Sequence, residues 1–236
     1  RDGDKWNALV EDMRAELDTL PARSEDEAVR ARRVDVLKEL VVIYRGPLKL
    51  AVMVINPFML LRAVGPGYRR SRAELAGTYE SMGRWNDLVQ VLGQQAEVEE
   101  DQEKRIGLLM RVARLWIDRF ANYNQATKPL EAIVALDPEH RETLSLLKPI
   151  YTKKRAWHAL YEVLERETSL ASDPDARLAL RVETARLAGE RLHRHGQAIS
   201  LWKEVLAEAP QTEGGLDTLE KLAEREKDWA TLAEVA

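Results

Sequence analysis

Four tryptophans, Trp6, Trp85, Trp157 and Trp229, each open the phrase W-x2-L, ending at Leu9, Leu88, Leu160 and Leu232. The last three stand 72 positions apart, and a fixed period belongs to a stacked repeat array, not to a closed globule. Other positions fall into line at the same offset: Leu75 with Leu147 and Leu219, Tyr79 with Tyr151, Leu92 with Leu164, Gln125-Ala126 with Gln197-Ala198, and Pro138 with Pro210. Within each 72 residues apolar side chains recur three and four apart, as in Leu109, Val112, Ala113, Trp116 and Phe120, which is the spacing of one helix face. Helix-stopping residues punctuate the pattern at Met82-Gly83-Arg84, Asp137-Pro138, Ser172 to Asp175, Ala209-Pro210 and Gly214-Gly215, and these are the expected turns. Each 72-residue unit therefore holds two helical hairpins.

The phrases resemble the tetratricopeptide repeat family. One hairpin type carries Leu75-Ala76, Tyr79, Gly83, Trp85 and Leu88, while the other carries Ala126, Leu130 and Pro138, then Ala198, Trp202 and Pro210; Val54, Phe58 and Pro66 repeat the second type. Markers at the leucine-like position of each first helix are Leu40, Leu75, Val112, Leu147, Thr184 and Leu219, spaced alternately by 35 and 37. The resemblance implies an all-α, right-handed α-solenoid of antiparallel helix pairs, a superhelix of six pairs with the last incomplete. It places the array over residues 35–236, preceded over 1–34 by the second helix of an earlier pair and a linker. A hairpin cannot bury its own apolar faces, and terminal units need polar caps; neither end carries one, so the expectation is a segment of a longer array.

Composition limits the function classes. With 45% hydrophobic and 32% charged residues the chain suits packed amphipathic helices and is too apolar for disorder. A net charge of −4 gives no global attraction to nucleic acid or anionic lipid. The absence of cysteine excludes disulfides, thiolate zinc sites and a cysteine nucleophile, and is compatible with a reducing compartment, the cytoplasm being favoured. The most apolar run, Leu48 to Leu61, is short and interrupted by Lys49, Asn56 and Pro57, so no membrane span is expected.

No phosphate loop, dinucleotide fingerprint or G-x-S-x-G occurs, so neither a cofactor nor an enzyme activity is expected. Of the four histidines, His193 and His195 are two apart and would diverge on a helix, with Arg191 and Arg194 beside them repelling a cation; no metal site is expected. His140 follows Asp137-Pro138 as a loop residue at a helix start. Glu97 to Glu103 lacks the glycine of a calcium loop and reads as a polar helix end followed by a helix start. The basic clusters Arg30 to Arg33, Arg69 to Arg72 and Lys153 to Arg155 are short and balanced by nearby acids, and the repeat columns are too variable for a nucleic-acid code.

Two surfaces remain for a protein or peptide partner. In the resembling family the first helix of each pair lines a groove. The matching positions here include Lys38, Arg45, Arg114, Arg186 and Lys221, interleaved with Met110 and Ile117, which would suit an acidic or C-terminal carboxylate peptide. The alternative is an ordinary solvated face. The second surface is the apolar run itself, with Leu50, Met53, Val54, Phe58 and Met59 facing a partner or a second copy. It is equally open to burial against the long linker from Thr19 to Asp26, and Pro57 and Pro149 are expected to kink their helices. The function that follows is a non-catalytic protein-interaction scaffold, with an architectural spacer or self-association segment as the second reading.

Overall fold

The computed structural model describes residues 2–21, 24–64 and 69–235. Gly65, Pro66 and Gly67, where a repeat's terminal proline was expected, lie outside them. The described residues are all-α. In chain order the helices are α1 (Asp2–Thr19), α2 (Glu27–Arg45), α3 (Ile55–Val64, entered through a 3-10 turn at Ala51–Val54), α4 (Arg69–Ser81), α5 (Trp85–Val98), α6 (Gln102–Asp118) and α7 (Tyr123–Leu136). They continue as α8 (Arg141–Lys154), α9 (Trp157–Leu170), α10 (Pro174–Glu190), α11 (His195–Glu208), α12 (Gly215–Glu226) and α13 (Trp229–Val235). The sequence period is also a period of structure. Helices α9, α10 and α11 have the bounds of α5, α6 and α7 displaced by 72 residues, and the 3-10 turn with α3 spans the positions 72 before α7.

The chain forms two compact units, Arg1–Leu115 and Trp116–Ala236. In the first, α1 packs on α2, α2 on α3, α3 on α4 and α4 on α5; in the second, each helix from α7 to α13 packs on the next. Stacking of neighbouring helices in chain order is the solenoid arrangement, in which each hairpin hides the apolar face of its neighbour.

Two kinds of left-handed turn repeat with the helices. Lys49, Ala121 and His193, at φ 51°, 48° and 54°, form one set spaced by 72; Gly83, Arg155 and Lys227, at 67°, 55° and 57°, form the other. Each turn is locked by the same bond in every copy. In the first set the amides of Leu50, Asn122 and Arg194 donate to the carbonyls of Tyr44, Trp116 and Ala188 at 2.7–2.8 Å. In the second the amides of Arg84, Ala156 and Asp228 donate to Tyr79, Tyr151 and Ala223 at 2.9 Å, the wide bond of a Schellman-type helix end. Asp101 and Asp173, again 72 apart, then start α6 and α10 by accepting from the amides of Lys104 and Ala176 at 3.1 and 3.0 Å, which satisfies an otherwise orphaned donor.

Buried columns follow the same register. All six markers, Leu40, Leu75, Val112, Leu147, Thr184 and Leu219, are buried, and so are Val54 with Ala126 and Ala198, and Phe58 with Leu130 and Trp202. The surface role expected for Val54 and Phe58 is thereby corrected: both belong to the core of the first unit. Leu48 to Leu61 is also not one helix apolar all round. Its 3-10 entry leaves Leu50, Val52, Met53 and Met59 exposed while Val54, Ile55, Phe58 and Leu61 turn inward. Pro57 stands in the first turn of α3, where a missing N–H leaves no bond unmade, so the expected interior kink has no cause there. Pro149 lies inside α8, as does Pro129 inside α7.

The motif tryptophans are not the core. Trp6, Trp85 and Trp157 are half-buried and Trp229 is 70% exposed, whereas Trp202, outside the motif, is fully buried.

A left-handed conformation costs a residue with a Cβ about 1–2 kcal/mol, and glycine gives back about 0.4–1 kcal/mol of that through unfolded-state entropy. Ala121→Gly is therefore expected to stabilise the chain by about 0.5 kcal/mol. Gly83→Ala, whose added Cβ would come no closer than 3.9 Å to the Trp85 ring, should destabilise it by a similar amount through backbone strain alone. Urea denaturation of the two variants measures both signs.

Candidate partner-binding grooves

Each unit holds one groove built from the same positions of the repeat. In the first unit Ala73 of α4, Gln95, Val98 and Glu99 at the end of α5, and Lys104, Gly107, Leu108 and Arg111 of α6 enclose about 410 Å³. In the second, the residues 72 later recur. Ser145 of α8, Glu167, Leu170 and Ala171 at the end of α9, and Ala176, Ala179 and Leu180 of α10 line about 670 Å³, together with Arg141, Leu144 and Lys148. The space has a simple origin. Small residues at paired places, Ala73 with Ser145 and Gly107 with Ala179, leave the first helices of successive pairs uncovered between them. Val98 with Leu170, and Leu108 with Leu180, keep an apolar wall at the same depth.

The polar margins differ. In the first groove Arg111 pairs with Glu80 at 2.5 Å and Lys104 with Asp101 at 3.0 Å. In the second the position of Arg111 is taken by Glu183, which pairs with Lys148 at 2.6 Å, while Glu167 lies 3.8 Å from the same ammonium. Burial raises the Glu167 carboxyl above the ordinary carboxylate range, Lys148 opposes the shift, and Glu183 adds to it. Arg141 donates to the Leu170 carbonyl at 2.7 Å, a cation on the C-terminal end of α9, where the helix dipole favours it.

Residues 71–106, covering α4, α5 and the start of α6, match the tetratricopeptide repeat. That segment is tetratricopeptide-like, and it is one helix pair of an all-α helical-repeat array. Solved structures similar to the chain include MamA (12% identity, 68% of this chain, 90% of that chain, TM-score 0.39). A tetratricopeptide repeat protein from Parabacteroides merdae is 12% identical over 98% of this chain and 77% of its own, with a TM-score of 0.38. Yeast Tom70 is 12% identical over 98% of this chain and 54% of its own, with a TM-score of 0.37. No curated protein matches the chain.

The tetratricopeptide-like grooves differ from the lining expected from cationic positions. Lys38, Arg114, Arg186 and Lys221 are exposed, Ile117 is half-buried and Met110 is buried; none of them lines either groove among the described residues. Lys38 lies 3.9 Å from Asp35. Arg45 spans α2 and α4, donating to the Thr78 hydroxyl at 3.0 Å, meeting Glu74 at 3.4 Å and covering the Phe58 ring. The basic clusters also turn inward on the fold. Arg32 grips Glu16 with two bonds of 2.5 and 2.7 Å, buried Arg33 donates to the Leu17 and Leu20 carbonyls, and Lys154 donates to Thr127 at 2.8 Å. The side chains of Arg69 to Arg72 lie outside the description.

His193 sits in a left-handed turn, not on a helix, so its ring comes within 6.0 Å of His195 instead of diverging from it. His195 bonds Glu226 at 2.8 Å, and His140 caps α8 by accepting from the Thr143 amide at 3.3 Å. Among the described residues no group of three or more His, Asp or Glu is placed to hold a metal ion, and no helix is long and apolar enough to cross a membrane. The floor and wall positions of the grooves carry small and apolar residues, and no charge marks them in the sequence. The 72-residue pairing of Gly107 with Ala179 and of Val98 with Leu170 was the available signal.

Because the folded-state pKa of Glu167 is raised, its contribution to stability is fully present below its unfolded pKa and is lost as the pH rises through the folded value. The ionised carboxylate is therefore less well accommodated in the folded chain than in the unfolded one. Glu167→Gln, which keeps the Lys148–Glu183 pair, should raise Tm by about 1–2 °C at pH 7, and this advantage should vanish at about pH 3, below the ordinary glutamate range, where the carboxyl is protonated in the folded and unfolded chain alike. Thermal unfolding at the two pH values reads the difference.

Proposed function

We propose that the chain is a non-catalytic protein-interaction scaffold that grips partner proteins through its two repeated grooves. The observation that carries this reading is the recurrence of one groove in both units from positions 72 residues apart, with small floor residues and an apolar wall retained while the charged margin changes. The apolar wall is kept in both copies although the charged residues around it change. The volumes of 410 and 670 Å³ fall in the range of ligand-sized clefts. Apolar side chains of a partner would fill the floor, and the margins would select the charge beside them, the first through Lys104 and Arg111 and the second through Lys148, Glu167 and Glu183. The tetratricopeptide-like architecture supports a role by shape and surface, and the polar groups of the grooves carry no arrangement of nucleophile and base.

The test fills the grooves without disturbing the core. A Cβ added at Gly107 meets no atom within 4 Å, and Ala179 is exposed, so Gly107→Trp and Ala179→Trp should fold normally while occupying the space. Proteins retained from a lysate by the immobilised wild type, quantified by mass spectrometry, should fall about tenfold with the double variant, a loss of about 1.4 kcal/mol. A tryptophan at exposed Ser200 should leave retention unchanged. Equal retention by the double variant, or equal loss with Ser200→Trp, would remove the grooves from the function.

A further inference from the structure

A third cavity differs in kind from the two grooves. It lies in the first unit between α1, α2 and the 3-10 turn with α3, encloses about 290 Å³, and is walled by Leu17, Leu37, Leu40, Ile55, Pro57 and Leu60. Four polar side chains line it as well, Arg14, Asn56 and Arg84 exposed to solvent and Tyr44 buried, and the fold does not explain the buried one. Tyr44 lines the cavity, is 2% exposed, and its hydroxyl is buried with no hydrogen-bond partner. Arg14, also in the lining, holds its guanidinium 5.8 Å from the centre of the Tyr44 ring. The other arginine at the cavity, Arg84, is already engaged by Asp87 at 2.6 Å and stacked over Tyr79.

We propose that this cavity binds an amphipathic monocarboxylate, with the acyl chain among the leucines and the carboxylate held by the Tyr44 hydroxyl and the Arg14 guanidinium. Buried polar groups in folded proteins almost always have partners, so a buried hydroxyl without one marks a place where a ligand group belongs. An anion completes both polar groups together, accepting a hydrogen bond from the phenol and a charge-assisted one from the arginine. Size sets the chain length. A dry cavity of about 150 Å³ accommodates benzene with its six heavy atoms, so twice that volume corresponds to about twelve, the size of decanoate. A side chain from a second copy is the weaker occupant, because a leucine or methionine would fill the wall and leave the Tyr44 hydroxyl unpaired. The exposed Leu50, Val52, Met53 and Met59 beside the cavity give the chain an apolar approach from solvent.

The experiment titrates the purified chain with decanoate by calorimetry and follows Tm, with 1-decanol as the uncharged control. Saturating decanoate should raise Tm by about 3 °C, and decanol should bind at least tenfold more weakly. Tyr44→Phe and Arg14→Met should each weaken decanoate roughly fivefold, the effect of one lost hydrogen bond. Without ligand, Tyr44→Phe should leave Tm unchanged or higher, since it removes only an unsatisfied group, which separates loss of binding from loss of fold. The proposal is overturned if decanoate gives no heat and no Tm shift, if decanol binds equally well, or if both variants bind like the wild type. A concentration-dependent dimer abolished by Met53→Glu, with no decanoate bound, would assign this face to a second copy and overturn it as well.

Discussion

The left-handed turn at the end of each first helix is the constraint on which the rest of the structure depends. A helix pair can pack only if the chain reverses within a few residues and returns with its apolar column facing the same way. Here a single residue at positive φ achieves the reversal, and one wide backbone bond fixes its angle in every copy, from Tyr44 to Leu50 and from Tyr79 to Arg84 onward. Five of the residues placed there carry a Cβ, Lys49, Ala121, Arg155, His193 and Lys227, so strain of about 1–2 kcal/mol each is built into the array. Burial of one column residue such as Phe58, Leu130 or Trp202 contributes about 1.5–3 kcal/mol. Each turn is held by several such residues on both of its helices, and packing therefore decides the backbone.

That dominance of packing appears where the repeat changes size. At the position of Leu130 the second copy has Trp202, and at the position of Thr143 it has Gly215. A Cβ on Gly215 would lie 3.3 Å from the Trp202 ring and 2.9 Å from Leu206, so the large indole is accommodated by removing a side chain from α12. Close-packed interiors tolerate exchanges that conserve volume, and this pair conserves it between helices 72 residues from their counterparts.

Most of the fold was legible because it rests on local signals. The period-3.6 apolar pattern marked the helices, and Gly83, Pro138, Pro174 and Pro210 marked their ends. What was not legible depends on tertiary context. Arg155 and Lys227 carry no left-handed signal of their own, and only their 72-residue distance from Gly83 connects them to one. Val54 and Phe58 looked like surface because a continuous apolar run is the same string whether it is buried on one side or two; the 3-10 turn at Ala51–Val54 sets which residues turn inward. Charged residues such as Lys38 and Arg186 are conspicuous in a sequence, whereas a groove made by Gly107 and Ala179 is an absence of atoms, visible only once the flanking helices are in place.

The two grooves share a floor and differ at the margin, and this division follows from how each contribution falls off. Apolar contact with Val98 and Leu108, or with Leu170 and Leu180, yields affinity in proportion to area and hardly distinguishes one apolar partner from another. Charge discriminates, because an unmatched buried charge costs more than a matched one contributes. In the first groove Lys104 and Arg111 pair with Asp101 and Glu80 in the open, with side chains 70% and 43% exposed, so their fields are screened and act mainly on encounter. In the second, Glu167 is 17% exposed and shares Lys148 with Glu183, leaving two carboxylates against one ammonium in a poorly solvated cleft. An acidic side chain entering beside Lys148 would add a third negative charge to two carboxylates on one ammonium, leaving Arg141 as the other cation in the lining, whereas a basic or neutral one would relieve the excess. On the proposed role the second groove would therefore be the more selective of the two, and its selectivity would come from exclusion.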